Sequence, residues 1–129
     1  MKSIQFNKDF KAAIPETWKI EKSGNVYSVF DESDGFGALQ FTIYTFPEME
    51  SVVDALQQYL ADKYDGVKAN LKDNYAYAET TDLDGIYWRY WILNNKRDAI
   101  FISYNCETND KAKENAIVND IIKSLISDK

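Results

Sequence analysis

Residues 86–93 read Ile-Tyr-Trp-Arg-Tyr-Trp-Ile-Leu, large and apolar at nearly every position. Successive side chains of a strand point to opposite faces. Ile86, Trp88, Tyr90 and Ile92 then lie on one side, and Tyr87, Arg89, Trp91 and Leu93 on the other. Neither side can face water without exposing aromatic rings, so the strand requires cover on both faces. Two other segments have the spacing to supply it. Ser51 with Asp54 resembles a capping box, and Val53, Leu56, Leu60 and Tyr64 follow at helical intervals up to Gly66, a left-handed C-terminal cap. This predicts a helix over 52–65. A second helix is expected over 111–127, where Ile117, Ile121 and Leu125 run beside Val118, Ile122 and Ile126. One helix belongs on each side of the sheet.

The remaining strands are short. Ile4–Phe6 reads as a first strand, and Ile14 is extended because it precedes Pro15. Trp18–Glu21 and Val26–Phe30 are joined across Ser23-Gly24-Asn25. After the polar turn 31–37, residues 38–45 alternate cleanly, with Leu39, Phe41 and Ile43 on one face, and Pro47 ends this meander. Tyr75–Thr80, Ile86–Leu93 and Ala99–Asn105 are linked by five-residue connections, 81–85 and 94–98, of hairpin length. Connections this short make neighbours antiparallel. The expectation is an α/β chain of the α+β kind: a mostly antiparallel sheet of about six strands with a helix on each face. No Pro- or Ser-rich linker divides it, so residues 1–129 form one domain.

Composition removes several functions. There is no histidine and one cysteine, which excludes Ser-His-Asp and Cys-His catalysis, Cys/His zinc sites and an internal disulfide framework. A net charge of −6 argues against binding a nucleic-acid backbone. No segment approaches the roughly 18 apolar residues of a membrane span, and no basic cluster or signal-like run opens the chain. A cytoplasmic protein is expected, and the lone thiol suits a reducing compartment. Lysine supplies 13 of the 15 basic residues, and Asn, Ile and Tyr are plentiful, a mixture common with AT-rich bacterial codons.

Ile14-Pro15-Glu16-Thr17-Trp18 is similar to the (I/L)-P-x-x-W start of PsbP-like domains, and Gly37-Ala38-Leu39-Gln40-Phe41 resembles the g-A-L-x-I strand that follows there. That superfamily includes the photosystem extrinsic subunit, the Ran-binding Mog family and bacterial DcrB-like proteins. The resemblance covers essentially the whole chain and implies an α/β/α sandwich around an antiparallel sheet. Its members do unrelated jobs, mostly by binding other proteins, and no functional residue carries over.

Two turns concentrate carboxylates, Asp31-Glu32-Ser33-Asp34-Gly35 and Asp82-Leu83-Asp84-Gly85. Neither has the ligand spacing of a calcium loop, and Asp-Gly turns are what hairpins need, so no metal is expected. Glu21, Asp31, Glu79 and Asp84 sit in or near strands without a spacing that pairs any two for acid–base work. P-loop, dinucleotide and nucleophile-elbow motifs are absent. Cys106 reads as a structural thiol. No catalytic residue and no cofactor is expected.

The aromatic residues point further. If Leu93 pairs with Ala99, then Trp88, Tyr90 and Ile92 face Tyr104, Ile102 and Ile100. Ala78 opposite Trp88 and Ala76 opposite Tyr90 complete that side. The other side then shows Tyr75, Tyr77, Glu79, Tyr87, Arg89, Trp91, Phe101 and Ser103, with Tyr77 across from Arg89 and Glu79 diagonal to it. Aromatic rings around an arginine are the composition of a binding hot spot. The competing reading is that helix 52–65 covers this face, with Arg89 paired to Glu79 beneath it and the tyrosines filling space. The function expected is a non-catalytic domain that binds another protein, an accessory or chaperone-like adaptor or an immunity-type inhibitor. The alternative is a small-ligand binder with an aromatic pocket between sheet and helix.

Overall fold

The computed structural model describes residues 1–33, 35–45, 51–95 and 98–127. Expectations for Asp34, Pro47 and the tip of the 94–98 connection fall outside the described residues. Among the described residues, nine strands and two α-helices follow in order. They are β1 (Lys2–Gln5), β2 (Lys11–Ile14), β3 (Lys19–Ser23), β4 (Val26–Phe30), β5 (Gly37–Thr45), α1 (Val52–Lys63), β6 (Asn70–Lys72), β7 (Tyr75–Thr81), β8 (Ile86–Asn94), β9 (Asp98–Glu107) and α2 (Asn115–Ser127). The main sheet has seven strands in the order β3-β4-β5-β9-β8-β7-β6, all antiparallel, and β1 and β2 form a separate hairpin. The expected six strands become seven because β6, three exposed residues on the edge, has no apolar pattern to announce it.

Each face of the sheet carries its own core. On one, α2 and the β1–β2 hairpin cover Leu39, Phe41, Trp91, Leu93, Ile100 and Ile102, with Val118, Ile121, Ile122 and Leu125 facing down from the helix. Ala13 N donates to Ser124 Oγ at 2.9 Å, tying the hairpin to α2. Trp18, 2% exposed, enters this core from a turn closed by its amide on the Pro15 carbonyl. On the other face, α1 lays Val52, Leu56 and Leu60 over Ala76, Ala78, Tyr90 and Ile92. The two alanines of β7 let the helix approach the sheet closely beside the large Tyr90 ring.

Both helices are shorter than the sequence implies. Ser51 caps α1 as expected, its hydroxyl accepting the Asp54 amide at 3.3 Å. The helix stops at Lys63, however, and Tyr64 is extended so that its hydroxyl meets that of Tyr90 at 2.5 Å. Gly66, with φ of +73°, serves the following turn and not the helix end. At the other helix, residues 108–110 form a 3-10 turn and α2 begins only after Glu114. Glu114 is buried, accepting the Tyr104 hydroxyl at 2.6 Å and the Phe36 amide at 3.3 Å.

The β8–β9 register differs by one residue from the expectation. Leu93 lies opposite Ile100 and Asn94 opposite Ala99, because the turn closes tightly: Asn95 N donates to the Asp98 carbonyl and Asp98 N to the Asn95 side chain. A one-residue slip exchanges the faces of all partners on the slipped strand. Ile100, Ile102 and Tyr104 therefore join Trp91 and Leu93 under α2, while Phe101 and Ser103 pass to the α1 side. The β7–β8 pair is offset by two, which leaves the faces unchanged and places Glu79, not Tyr77, opposite Arg89.

Candidate functional site

Strands β7 and β8 bring six of the seven expected patch residues to one face: Tyr75, Tyr77, Glu79, Tyr87, Arg89 and Trp91. Phe101 is not among them; it packs against Tyr59 of α1 on the far side of the sheet, ring centroids 4.9 Å apart. α2 covers part of this face, where the competing reading placed α1; Tyr75 and Tyr77 stay half-buried and Glu79 exposed. Trp91 is 2% exposed, Arg89 7% and Tyr87 8%.

The geometry around Arg89 also corrects the expected ion pair with Glu79. Arg89 Nε donates to the Tyr77 hydroxyl at 2.9 Å, Nη1 to Asn115 Oδ1 at 2.7 Å and Nη2 to Asn119 Oδ1 at 2.7 Å. Asn115 and Asn119 stand one helical turn apart, so both amides reach down the same side of α2. The guanidinium carbon lies 4.6 Å from the Trp91 ring centre and 5.4 Å from that of Tyr77. Glu79 instead accepts the hydroxyls of Tyr77 and Tyr87. Among the described residues, every hydrogen-bond partner of this buried cation is neutral.

Between β6, β7, β8 and α2 the surface dips into a cleft of about 280 Å³, lined by Lys72, Tyr75, Tyr77, Arg89, Trp91, Asn119, Ile122 and Lys123. Three of these side chains are cationic and none is acidic. Lys72 and Lys123 are exposed, and the Lys72 ammonium sits 4.9 Å from the Tyr77 ring centre. Asn115, Asn119, Lys72 and Lys123 were absent from the sequence-based site. The available signal was Asn115-x-x-x-Asn119 beside the apolar stripe of α2, two short amides on the flank of a buried face.

The phenols here are donors. Burial raises the pKa of Tyr77 above the ordinary phenol value, with Arg89 pulling it down and Glu79 pushing it up. Burial, then the hydrogen bond to Glu79, raises that of Tyr87 further. Cys106 is buried and its thiol is likewise pushed up by burial. Among the described residues no three carboxylates or thiols converge as a metal would require. In the second acidic turn Asp82 is occupied with local structure. Its carboxylate accepts the amides of Ile86 and Asp84 and the Trp88 indole N–H, bonds that hold its pKa low, the Ile86 amide first. No helix among the described residues is long and apolar enough to cross a membrane.

A seven-stranded antiparallel sheet carrying one helix per face, with a hairpin beside the second helix, defines an α+β sandwich. The fold is PsbP-like. It matches the solution structure of the cyanobacterial PsbP protein CyanoP from Synechocystis sp. PCC 6803 with a TM-score of 0.67, at 13% identity over 95% of this chain and 89% of that one. A crystal structure from Bacteroides thetaiotaomicron VPI-5482 matches with a TM-score of 0.61 at 12% identity; 90% of this chain is covered, which spans 44% of that longer chain. No protein-family model matches the sequence, and no curated protein does. Likeness at these identities is one of fold alone.

Proposed function

We propose that this chain is a non-catalytic domain that binds another protein at the cleft between β7, β8 and α2. The observation that supports this reading is Arg89, a guanidinium fixed by neutral groups at the back of an aromatic-walled, positively charged recess. Arginine and aromatic rings dominate the energetics of protein interfaces when they are held rigidly. Phenols whose pKa values are raised stay protonated near neutral pH, which favours holding a partner over proton transfer. Within this class, the finer roles are an adaptor or an immunity-type inhibitor in a bacterial cytoplasm. The net charge of −6 would speed encounter with a basic partner, and the recess would seat an acidic or polar group of it. The test is affinity capture from a lysate of the source organism with the native chain and with Lys72→Glu/Lys123→Glu. One protein retained by the native chain and lost with the double variant is expected; equal recovery by both would contradict the reading.

A second reading, a small-ligand binder, has its own observation. A hollow of about 470 Å³ lies between α1 and the sheet, lined by Thr42, Tyr44, Ala55, Gln58, Tyr59, Asp62, Ile92 and Phe101. Saturable fluorescence of an apolar naphthalene dye, reduced by Phe101→Ala, is the result that reading requires. Dye fluorescence no different from buffer would remove it.

A further inference from the structure

We infer that the recess beside Arg89 is a carboxylate-recognition site, an inference that rests on reading this cleft as a binding site and names what it binds. The guanidinium carries five N–H donors. Three are used, one from each nitrogen, by Tyr77, Asn115 and Asn119. Among the described residues, the two remaining donors, one on each terminal nitrogen, have no protein partner. The described ion pairs, Met1–Glu16, Lys19–Glu32 and Lys113–Asp110, leave Arg89 out. A cation 7% exposed whose direct partners among the described residues are neutral, with Glu79 reached only through the Tyr77 hydroxyl, has its desolvation offset in part, and an anion in the recess would offset more of it.

The surroundings favour that anion. Lys72 and Lys123 flank the opening in a chain whose net charge is −6, and no carboxylate lines the recess. Glu79, the nearest acid on the same sheet face, is turned to the Tyr77 and Tyr87 hydroxyls. The guanidinium is held in place by the Trp91 ring, 4.6 Å from its carbon, by the Tyr77 hydroxyl on Nε, and by α2 through both terminal nitrogens. A planar fork with a donor left on each terminal nitrogen can pair with two oxygens of one anion, and the aromatic walls beside it select an organic carboxylate over inorganic phosphate. About 280 Å³ admits a small organic acid or one carboxylate-bearing end of a polypeptide, and the ring walls favour an apolar body behind the charge.

The experiment is a ¹H–¹⁵N NMR titration of the full chain, following Arg89 Nε–H, Trp91 Nε1–H and the Asn119 amide. The probes are sodium benzoate, a hexapeptide ending in phenylalanine, the same peptide amidated, and inorganic phosphate. Benzoate should bind saturably and shift all three reporters. Lys72→Glu/Lys123→Glu should weaken it roughly tenfold or more, without a change in melting temperature, since both lysines are exposed. Preference for the free-acid peptide over its amide would assign the carboxylate to a protein partner; benzoate alone binding would assign it to a small acid. No shift with any acid at millimolar concentration, or phosphate binding as tightly as benzoate, would overturn the inference. A partner captured equally by the native chain and the double variant, while benzoate still binds, would retain the carboxylate site and remove the protein-binding reading of this cleft.

Discussion

Replacing Arg89 separates its packing from its charge. The residue is 7% exposed, and its guanidinium carbon lies beside the Trp91 and Tyr77 rings. Arg89→Ala removes about as much buried stem as a large-to-small core truncation, which costs about 2–5 kcal/mol. The three hydrogen bonds add less than their number implies. Asn115 is exposed and Asn119 half-buried, so both amides can turn to water, and only Tyr77 loses a shielded donor. Deleting the charge also relieves its desolvation, worth several kcal/mol for a buried ion. The expected cost is therefore about 2–4 kcal/mol for Arg89→Ala and about 1 kcal/mol or less for Arg89→Met, which keeps the stem. At this chain length each kcal/mol corresponds to roughly 3–5 °C in Tm. Urea denaturation followed by tryptophan fluorescence, with thermal melts alongside, measures both variants. If Arg89→Met costs as much as Arg89→Ala, the hydrogen bonds and not the packing hold α2 to the sheet, and this reasoning fails.

Other outcomes follow from the same contacts. An ideal Cβ on Gly37 would collide with the Asn105 carbonyl and lie 2.6 Å from Tyr104 Oη, so Gly37→Ala should destabilise by about 1–3 kcal/mol in denaturant titrations. Tyr104→Phe removes the phenol that bonds the buried Glu114 carboxylate and should cost about 1–3 kcal/mol; an unchanged unfolding midpoint would mean water replaces that bond. Burial holds the Tyr77, Tyr87, Tyr90 and Tyr104 phenols above their ordinary pKa of 10.0. An acid raised in the folded state binds its proton more tightly there. Stability should thus be complete below pH 10.0 and fall as pH rises beyond it, with tyrosinate absorbance appearing together with unfolding. Independent titration of these phenols in a folded chain would contradict that.

The parts of this fold legible in the sequence are those written in periodicity. The two-sided apolar run at 86–93 demanded two covering layers, and the stripes expected over 52–65 and 111–127 supplied them, each helix a few residues shorter in the structure. What escaped was set by single contacts. The β8–β9 register hinges on Asn95 closing its turn onto Asp98, which no alternation pattern records, and that one residue moved Phe101 from the patch to the α1 side. The tail of α1 was lost because Tyr64 bonds Tyr90 instead of continuing the helix. The site was half visible. Arg89 among aromatic rings stood out as a lone charge in an apolar strand, whereas Asn115 and Asn119 are common residue types whose meaning depends on which face α2 turns to the sheet.

All functional readings of the cleft depend on Arg89 and Trp91 lying under α2 while Phe101 lies under α1. Nuclear Overhauser contacts in the free protein test this directly. The structure places the Arg89 guanidinium 2.7 Å from Asn119 Oδ1 and the Phe101 ring 4.9 Å from that of Tyr59. Cross-peaks from Arg89 guanidinium protons to the Asn119 side chain, and from Phe101 ring protons to Tyr59, are the predicted result. Cross-peaks from Phe101 to Trp91 or to α2, with none to Tyr59, would contradict it.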